Sequence, residues 1–210
     1  VVQAVAGFES GRHSVWDPCN GAASPFEAAE TDSLGDNRAK EQRSGRGAVI
    51  YVLYAVIALL GAGVQLWRHP GERQGARALE VVLVWWIVVT IGVAGIVGAL
   101  FHLFDGPNIA REIGFTRGDG GFQTEVGFGD LALGVAAVLC VWFRDRYLLA
   151  IVVVAAISLW GDAYGHIHQE VANDNHDPDN TGPVLYADIL FPLVAVVLYA
   201  ALERLRRRRT

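Results

Sequence analysis

Methionine is absent from this chain of 210 residues, lysine occurs once against sixteen arginines, and there are only two cysteines. The missing Met and scarce Lys, beside abundant Ala, Gly and Val, look like a GC-rich coding bias and point to a bacterial source; they say nothing of function. Cys19 stands in a polar stretch and Cys140 in an apolar one, so neither a disulfide framework nor a CxxC metal motif is available. Excess positive charge is lacking too. The formal net charge is −5, and the one basic concentration, Arg204 to Arg209, borders a hydrophobic run, which argues against nucleic acid as a partner. Charge is scarce overall: 19% of residues are charged and 52% hydrophobic, with mean hydropathy +0.32. A typical soluble domain is more polar, so a purely soluble enzyme is excluded first.

What is present instead is a set of apolar runs long enough to cross a bilayer, whose core of about 30 Å takes about 20 helical residues. Five occur, at residues 48–67, 79–104, 126–143, 147–165 and 184–202. A soluble helix of such length would show a polar face every turn, and these do not. The expected fold is therefore all-α: a polytopic transmembrane helical bundle of about five spans over residues 48–203. Residues 204–210 form an Arg-rich cytoplasmic end. Residues 1–47 are rich in Gly, Ser, Asp, Glu and Arg and read as a disordered polar tail. They carry no basic n-region or signal-peptide core, so cleavage is not expected. The chain does not open with methionine, which leaves open that the tail is an upstream extension of the reading frame.

Orientation follows from arginine and lysine in the short flanks. With the C-terminus inside, Arg68, Arg73, Arg77, Arg144, Arg146 and the five arginines from Arg204 to Arg209 give ten basic residues on the inner side. The outer side has six: Arg38, Lys40, Arg43, Arg46, Arg111 and Arg117. The expectation is a multi-pass protein of a bacterial cytoplasmic membrane with its C-terminus cytoplasmic.

Four spans carry small or polar residues at helical spacing: Gly92, Gly95, Ala99 and His102; Asp130, Gly134 and Ala137; Ala155, Ser158, Asp162 and His166; Asp188, Pro192 and Ala195. Steps of three and four keep each set on one helix face. Close helix approach accounts for the small residues. It does not account for the ionisable ones, because an acid inside a bilayer costs about 2.5 to 3.5 kcal/mol at the centre. Alternating span directions place His102, Asp130, Asp162, His166 and Asp188 at one end, so they are expected to share a cavity at the outer face; separate snorkelling is the alternative. After His102, the stretch from Asp105 through Pro107 to Phe115 reads as a short interfacial helix over that mouth. Gln123 and Glu125 then stand at the start of the third span, where Glu125 suits the helix dipole.

Asp162 and His166, four apart on one face, form with His102 a candidate set for a divalent metal. The spacing lacks ExxH or HExxH and is equally a hydrogen-bonded network. His102 and His166 on different spans could ligate a b-type haem, although they are a single pair without CxxCH. Asp177, Asp179, Gly182 and Asp188 meet some positions of a calcium loop but Pro183 and Leu185 fill others, so a turn is the simpler reading. Cys140 reads as a buried small hydrophobe, and His168 and His176 as surface residues.

Phe101-His-Leu-Phe, Ile109-Ala with Ile113-Gly, Phe122-Gln-Thr-Glu-Val-Gly-Phe with Leu131-Ala-Leu-Gly, Ala163-Tyr-Gly-His-Ile, and Asn180-Thr-Gly-Pro with Leu185-Tyr-Ala-Asp together resemble an uncharacterised family of small polytopic membrane proteins of bacteria and archaea, a domain of unknown function. The resemblance covers roughly residues 48–202 and implies a helical membrane bundle without an assigned activity. Asp130 is a departure, since the family more often has a neutral residue there. The leading expectation is a non-enzymatic membrane protein whose outer-face His/Asp cavity binds a small cation or relays protons. The alternatives are a membrane oxidoreductase component, with metal or quinone at the same site, and a scaffold subunit that binds a membrane-protein partner or a second copy in the lipid bilayer.

Overall fold

The computed structural model describes residues 25–114 and 120–208. By internal contacts the chain divides into Val1–Asn37, of which only the helical part from Pro25 is described, and Arg38–Thr210, which holds the bundle. Among the described residues the secondary structure is helical, without strands. The elements are α1 (Pro25–Arg68), α2 (Gly75–Trp86), a π-helical stretch (Ile87–Val93), α3 (Ala94–Glu112), α4 (Gly120–Val138), α5 (Arg146–Asn173), α6 (Pro178–Thr181) and α7 (Pro183–Arg207).

Among the described residues five segments are long and apolar enough to cross a membrane: Gly47–Arg68, Gly75–Glu112, Gly121–Val141, Arg146–Asn173 and Pro178–Arg207. Each contains or closely matches one of the five runs read from hydropathy. The second is α2 and α3 joined without a break through the π-helical turns. Of the polar tail expected through residue 47, residues 1–24 lie outside the described residues. From Pro25 the chain is helical and leads into the first span.

The core lies between α2–α3, α4, α5 and α7. Leu83, Ile87, Ala137, Cys140, Leu148, Ala155, Ala195 and Leu202 are fully buried there. Cys140 is thus the small buried hydrophobe expected. The small-residue stripes are the contact lines: a Cβ added to Gly134 would stand 2.8 Å from the backbone nitrogen of Ile96 and 2.9 Å from the carbonyl oxygen of Gly92. Such a crossing puts backbone against backbone, which only small residues permit.

Two tryptophans fasten α7 where Pro192 interrupts its hydrogen bonding. Trp160 Nε1 donates to the Ile189 carbonyl at 3.2 Å and Trp86 Nε1 to the Phe191 carbonyl at 3.0 Å. Proline lacks the donor that would satisfy the carbonyl four residues earlier, that of Asp188. The unfilled carbonyl therefore belongs to a site residue, and the indoles bind the carbonyls of Ile189 and Phe191 that follow it.

The two ends of the bundle differ in chemistry. At one, Glu80 accepts from Arg206 at 2.7 Å and from Arg144 at 3.4 Å, joining α2, the α4–α5 turn and α7. Arg73 closes the end of α1 by donating to the carbonyls of Leu66 and Trp67 at 2.7 and 2.6 Å. At the other end the helix of α3 breaks at Asp105 (φ −134°, ψ 25°), just before Pro107. Asn108 Nδ2 donates to Asp105 Oδ1 at 2.6 Å, so 106–112 is a separate short helix with Asp105 at its start, where the sequence placed an interfacial one. Asn175 Nδ2 donates to the Ile113 carbonyl at 2.8 Å and ties this segment to the α5–α6 connection.

Candidate functional site

The end closed by Asn175 also holds the histidines and acids. Because α3 and α5 end there while α4 and α7 begin there, His102, His166 and Asp162 near helix ends meet Asp130 and Asp188 near helix starts. The five form two matched pairs and a fifth member. His102 Nε2 stands 3.8 Å from Asp130 Oδ2, with side chains 22% and 25% exposed. His166 Nε2 stands 3.8 Å from Asp188 Oδ2, with side chains 15% and 14% exposed. Asp162 is the exposed member of the set. It lies within electrostatic range of both His102 and His166, while Asp188 senses both Asp162 and Asp130.

The other nitrogen of each ring is held by a buried amide. His102 Nδ1 lies 2.6 Å from Gln123 Oε1, and His166 Nδ1 lies 2.9 Å from Asn180 Oδ1, both at hydrogen-bond distance. Gln123 is 1% exposed and Asn180 0%. Asn180 is itself fixed by donating to the carbonyls of His166 and Asn175 at 3.2 and 3.0 Å. Among the described residues no buried side-chain nitrogen or oxygen lacks a partner.

Tyr51 of α1 completes the surroundings. Its ring meets Phe191 edge-on with centroids 6.1 Å apart, and it lies within electrostatic range of Asp188, Asp179 and Asp130.

Nε2 of each imidazole stands 3.8 Å from one carboxylate oxygen. Among the described residues no group of three or more His, Cys, Asp and Glu side chains is placed to hold a metal ion, the set His102, Asp162 and His166 included. The reason is the pairing: each histidine is turned toward the acid of its own helical hairpin, not toward its counterpart.

Sequence reasoning named the five ionisable residues but missed their neutral partners. Gln123 was visible as a residue seven before Asp130 on the same helix face, a spacing that carries both to one side. Asn180 had only the appearance of a turn residue, and Tyr51 lay in the first span, for which no site residue was named. The turn histidine His176 pairs with Asp174 at 2.9 Å in an exposed position, as expected of a surface residue.

Five membrane-length helices with a polar cluster at one end define a multi-pass membrane protein built as a helical bundle. Residues 48–208 match the model of DUF6790, a family of unknown function, and the chain belongs to that family. The match takes in the whole five-span region, and with it every residue of the two histidine pairs. No curated protein and no solved structure matches the chain.

Proposed function

We propose that this membrane protein handles protons at the His/Asp cluster: it takes them up from water through Asp162 and passes them to the pairs His102–Asp130 and His166–Asp188. The observation that carries this reading is the repeated geometry, with Nδ1 of each ring engaged and Nε2 facing a carboxylate at 3.8 Å. Histidine is the side chain whose ordinary titration falls near neutral pH, and a neighbouring carboxylate is its usual exchange partner. The exposure of Asp162 and its range to both rings support its reading as the water-side acid. Lipid covers the exposed apolar faces, such as Leu53 and Leu60 on α1 and Ile157 on α5.

Asp162→Asn keeps shape and hydrogen bonding and removes the charge. In liposomes, the rate of proton uptake after a small pH jump, followed with an indicator dye, should fall about tenfold while the protein still inserts and remains monodisperse. Unchanged uptake would remove the functional cluster and leave only the bundle. Elemental analysis and an optical spectrum of gently purified protein test the oxidoreductase alternative directly, since stoichiometric metal or a haem band would replace the proton reading.

The arginine asymmetry supports a cytoplasmic C-terminus in a bacterial cytoplasmic membrane, which puts the cluster on the outer face. A reporter active only in the cytoplasm should work when fused after Thr210 and stay silent when inserted beside Asn175. The reverse pattern would invert the bundle and turn the cluster toward the cytoplasm.

A further inference from the structure

We infer that Gln123 and Asn180 are positioning residues that hold His102 and His166 in the tautomer with hydrogen on Nδ1, so that Nε2 is the nitrogen exchanging protons with Asp130 and Asp188. This rests on the proton-handling reading of the same cluster and specifies how its rings are set. A neutral imidazole has one donor and one acceptor nitrogen, and the bond made by one decides the role of the other.

At His166 the orientation of the amide is forced. Asn180 directs its Nδ2 hydrogens at two backbone carbonyls, those of His166 and Asn175, and a carbonyl cannot donate in return. The amide therefore cannot flip, and its oxygen is what meets Nδ1 at 2.9 Å. His102 repeats the device with a different residue on a different element: Gln123, in the first turns of α4, places Oε1 2.6 Å from Nδ1. Two separately built amide contacts at Nδ1, each beside a carboxylate at 3.8 Å from Nε2, go beyond what helix packing requires. A seam needs small residues and has no use for a buried amide oxygen aimed at one ring nitrogen.

The charged neighbours agree with that assignment. His102 is faced by Asp130 and Asp162, and His166 by Asp188 and Asp162. Tyr51 of α1 lies within electrostatic range of Asp188 and also of Asp179 in α6. The transfer itself is balanced. Once a pair closes from 3.8 Å to hydrogen-bond distance, the O–H bond of a protonated Asp130 or Asp188 breaks, an N–H bond forms at Nε2, and a carboxylate faces an imidazolium; the reverse step restores the acid and the lone pair. With hydrogen on Nε2 instead, a neutral ring would present a donor to the acid and could accept nothing from it.

Nitrogen-15 NMR of the histidine-labelled full chain in liposomes, between about pH 5 and 8 where histidine titrates, reads the tautomer directly, with signals assigned by His102→Gln and His166→Gln. Both neutral rings should carry hydrogen on Nδ1 and none on Nε2. Gln123→Leu should convert His102 to a mixture of tautomers, leave His166 unchanged, and slow proton uptake at least about tenfold. Gln123→Glu keeps an acceptor oxygen and should restore the single tautomer. Asn180 also anchors the α5–α6 backbone, so the wild-type spectrum and the Gln123 variants carry the test. Hydrogen on Nε2 of either neutral ring in the wild type, or a His102 tautomer unaltered by Gln123→Leu, overturns the assignment. If the tautomers are as expected and Asp162→Asn leaves uptake unchanged, the proton reading falls and the tautomer assignment stands.

Discussion

Gly134→Val should cost the protein more stability than any other single substitution along its small-residue seams. The hydrogen it replaces points at the second span, where even a Cβ would come within 2.8 Å of the Ile96 nitrogen and 2.9 Å of the Gly92 carbonyl oxygen. These are backbone atoms and cannot turn aside. A side chain that merely met a flexible neighbour would be accommodated by rotation, whereas here the helices must separate. Overpacking of this kind costs about 1 to 3 kcal/mol for an added methyl or two in a rigid core, and the branched valine belongs at the upper end. Separation also acts at a distance along α4. Asp130 lies one turn before Gly134 and faces His102 across the same seam, so widening the crossing pulls the pair beyond its 3.8 Å. The expected result is a protein that inserts but melts well below the wild type in detergent and takes up protons slowly. Gly63→Val is the control, because nothing lies within 4 Å of the Cβ it would add. Equal loss in both variants would show that β-branching, and not the close crossing, is responsible.

The large features of this fold were legible because they are one-dimensional. A bilayer sets a length of about 20 apolar residues, and runs such as 184–202 announce themselves without knowledge of any neighbour. The convergence of the five ionisable residues was legible for the same reason, since alternating span direction fixes which helix ends meet. The pairing within the cluster was not. Whether His166 looks to Asp188, to Asp130 or to His102 depends on the rotation of α5 about its axis, and that rotation is set by contacts such as Trp160 on the Ile189 carbonyl, which hydropathy does not encode. Asn180 shows the limit most clearly. In sequence it stands among Asp, Gly, Pro and Thr and reads as a turn, yet in the fold it is wholly buried and in hydrogen-bond contact with a ring fourteen residues earlier.

Asp188→Asn should produce the largest functional loss, and a double-substitution cycle with His166→Gln shows whether the two residues act as a unit. Asp188 faces His166 Nε2 at 3.8 Å with little exposure of either side chain, so water is poorly placed to substitute for the lost carboxylate. Its backbone carbonyl is the one left without a helical donor by Pro192, which keeps the local geometry dependent on the indoles of Trp160 and Trp86 and not on the carboxylate itself. Asparagine is nearly isosteric and neutral, so the fold should survive. A positioned acid or base contributes about 100- to 10,000-fold to proton transfer, and the single variant should slow uptake by about 100-fold. His166→Gln should do the same. If the pair transfers one proton between its own atoms, removing the second partner has nothing further to remove, and the double variant should also stand near 100-fold instead of near the product of the two losses. The comparison with His102→Gln then separates two arrangements of the cluster. Pairs working in series through Asp162 both limit the rate, so His102→Gln added to Asp188→Asn should change little. Pairs working side by side would let His102–Asp130 carry uptake alone, and Asp188→Asn by itself would then reduce the rate by no more than about half. Losses at His166 and Asp188 that multiply would mean that the two residues serve separate steps, and the paired geometry would lose its place in the mechanism.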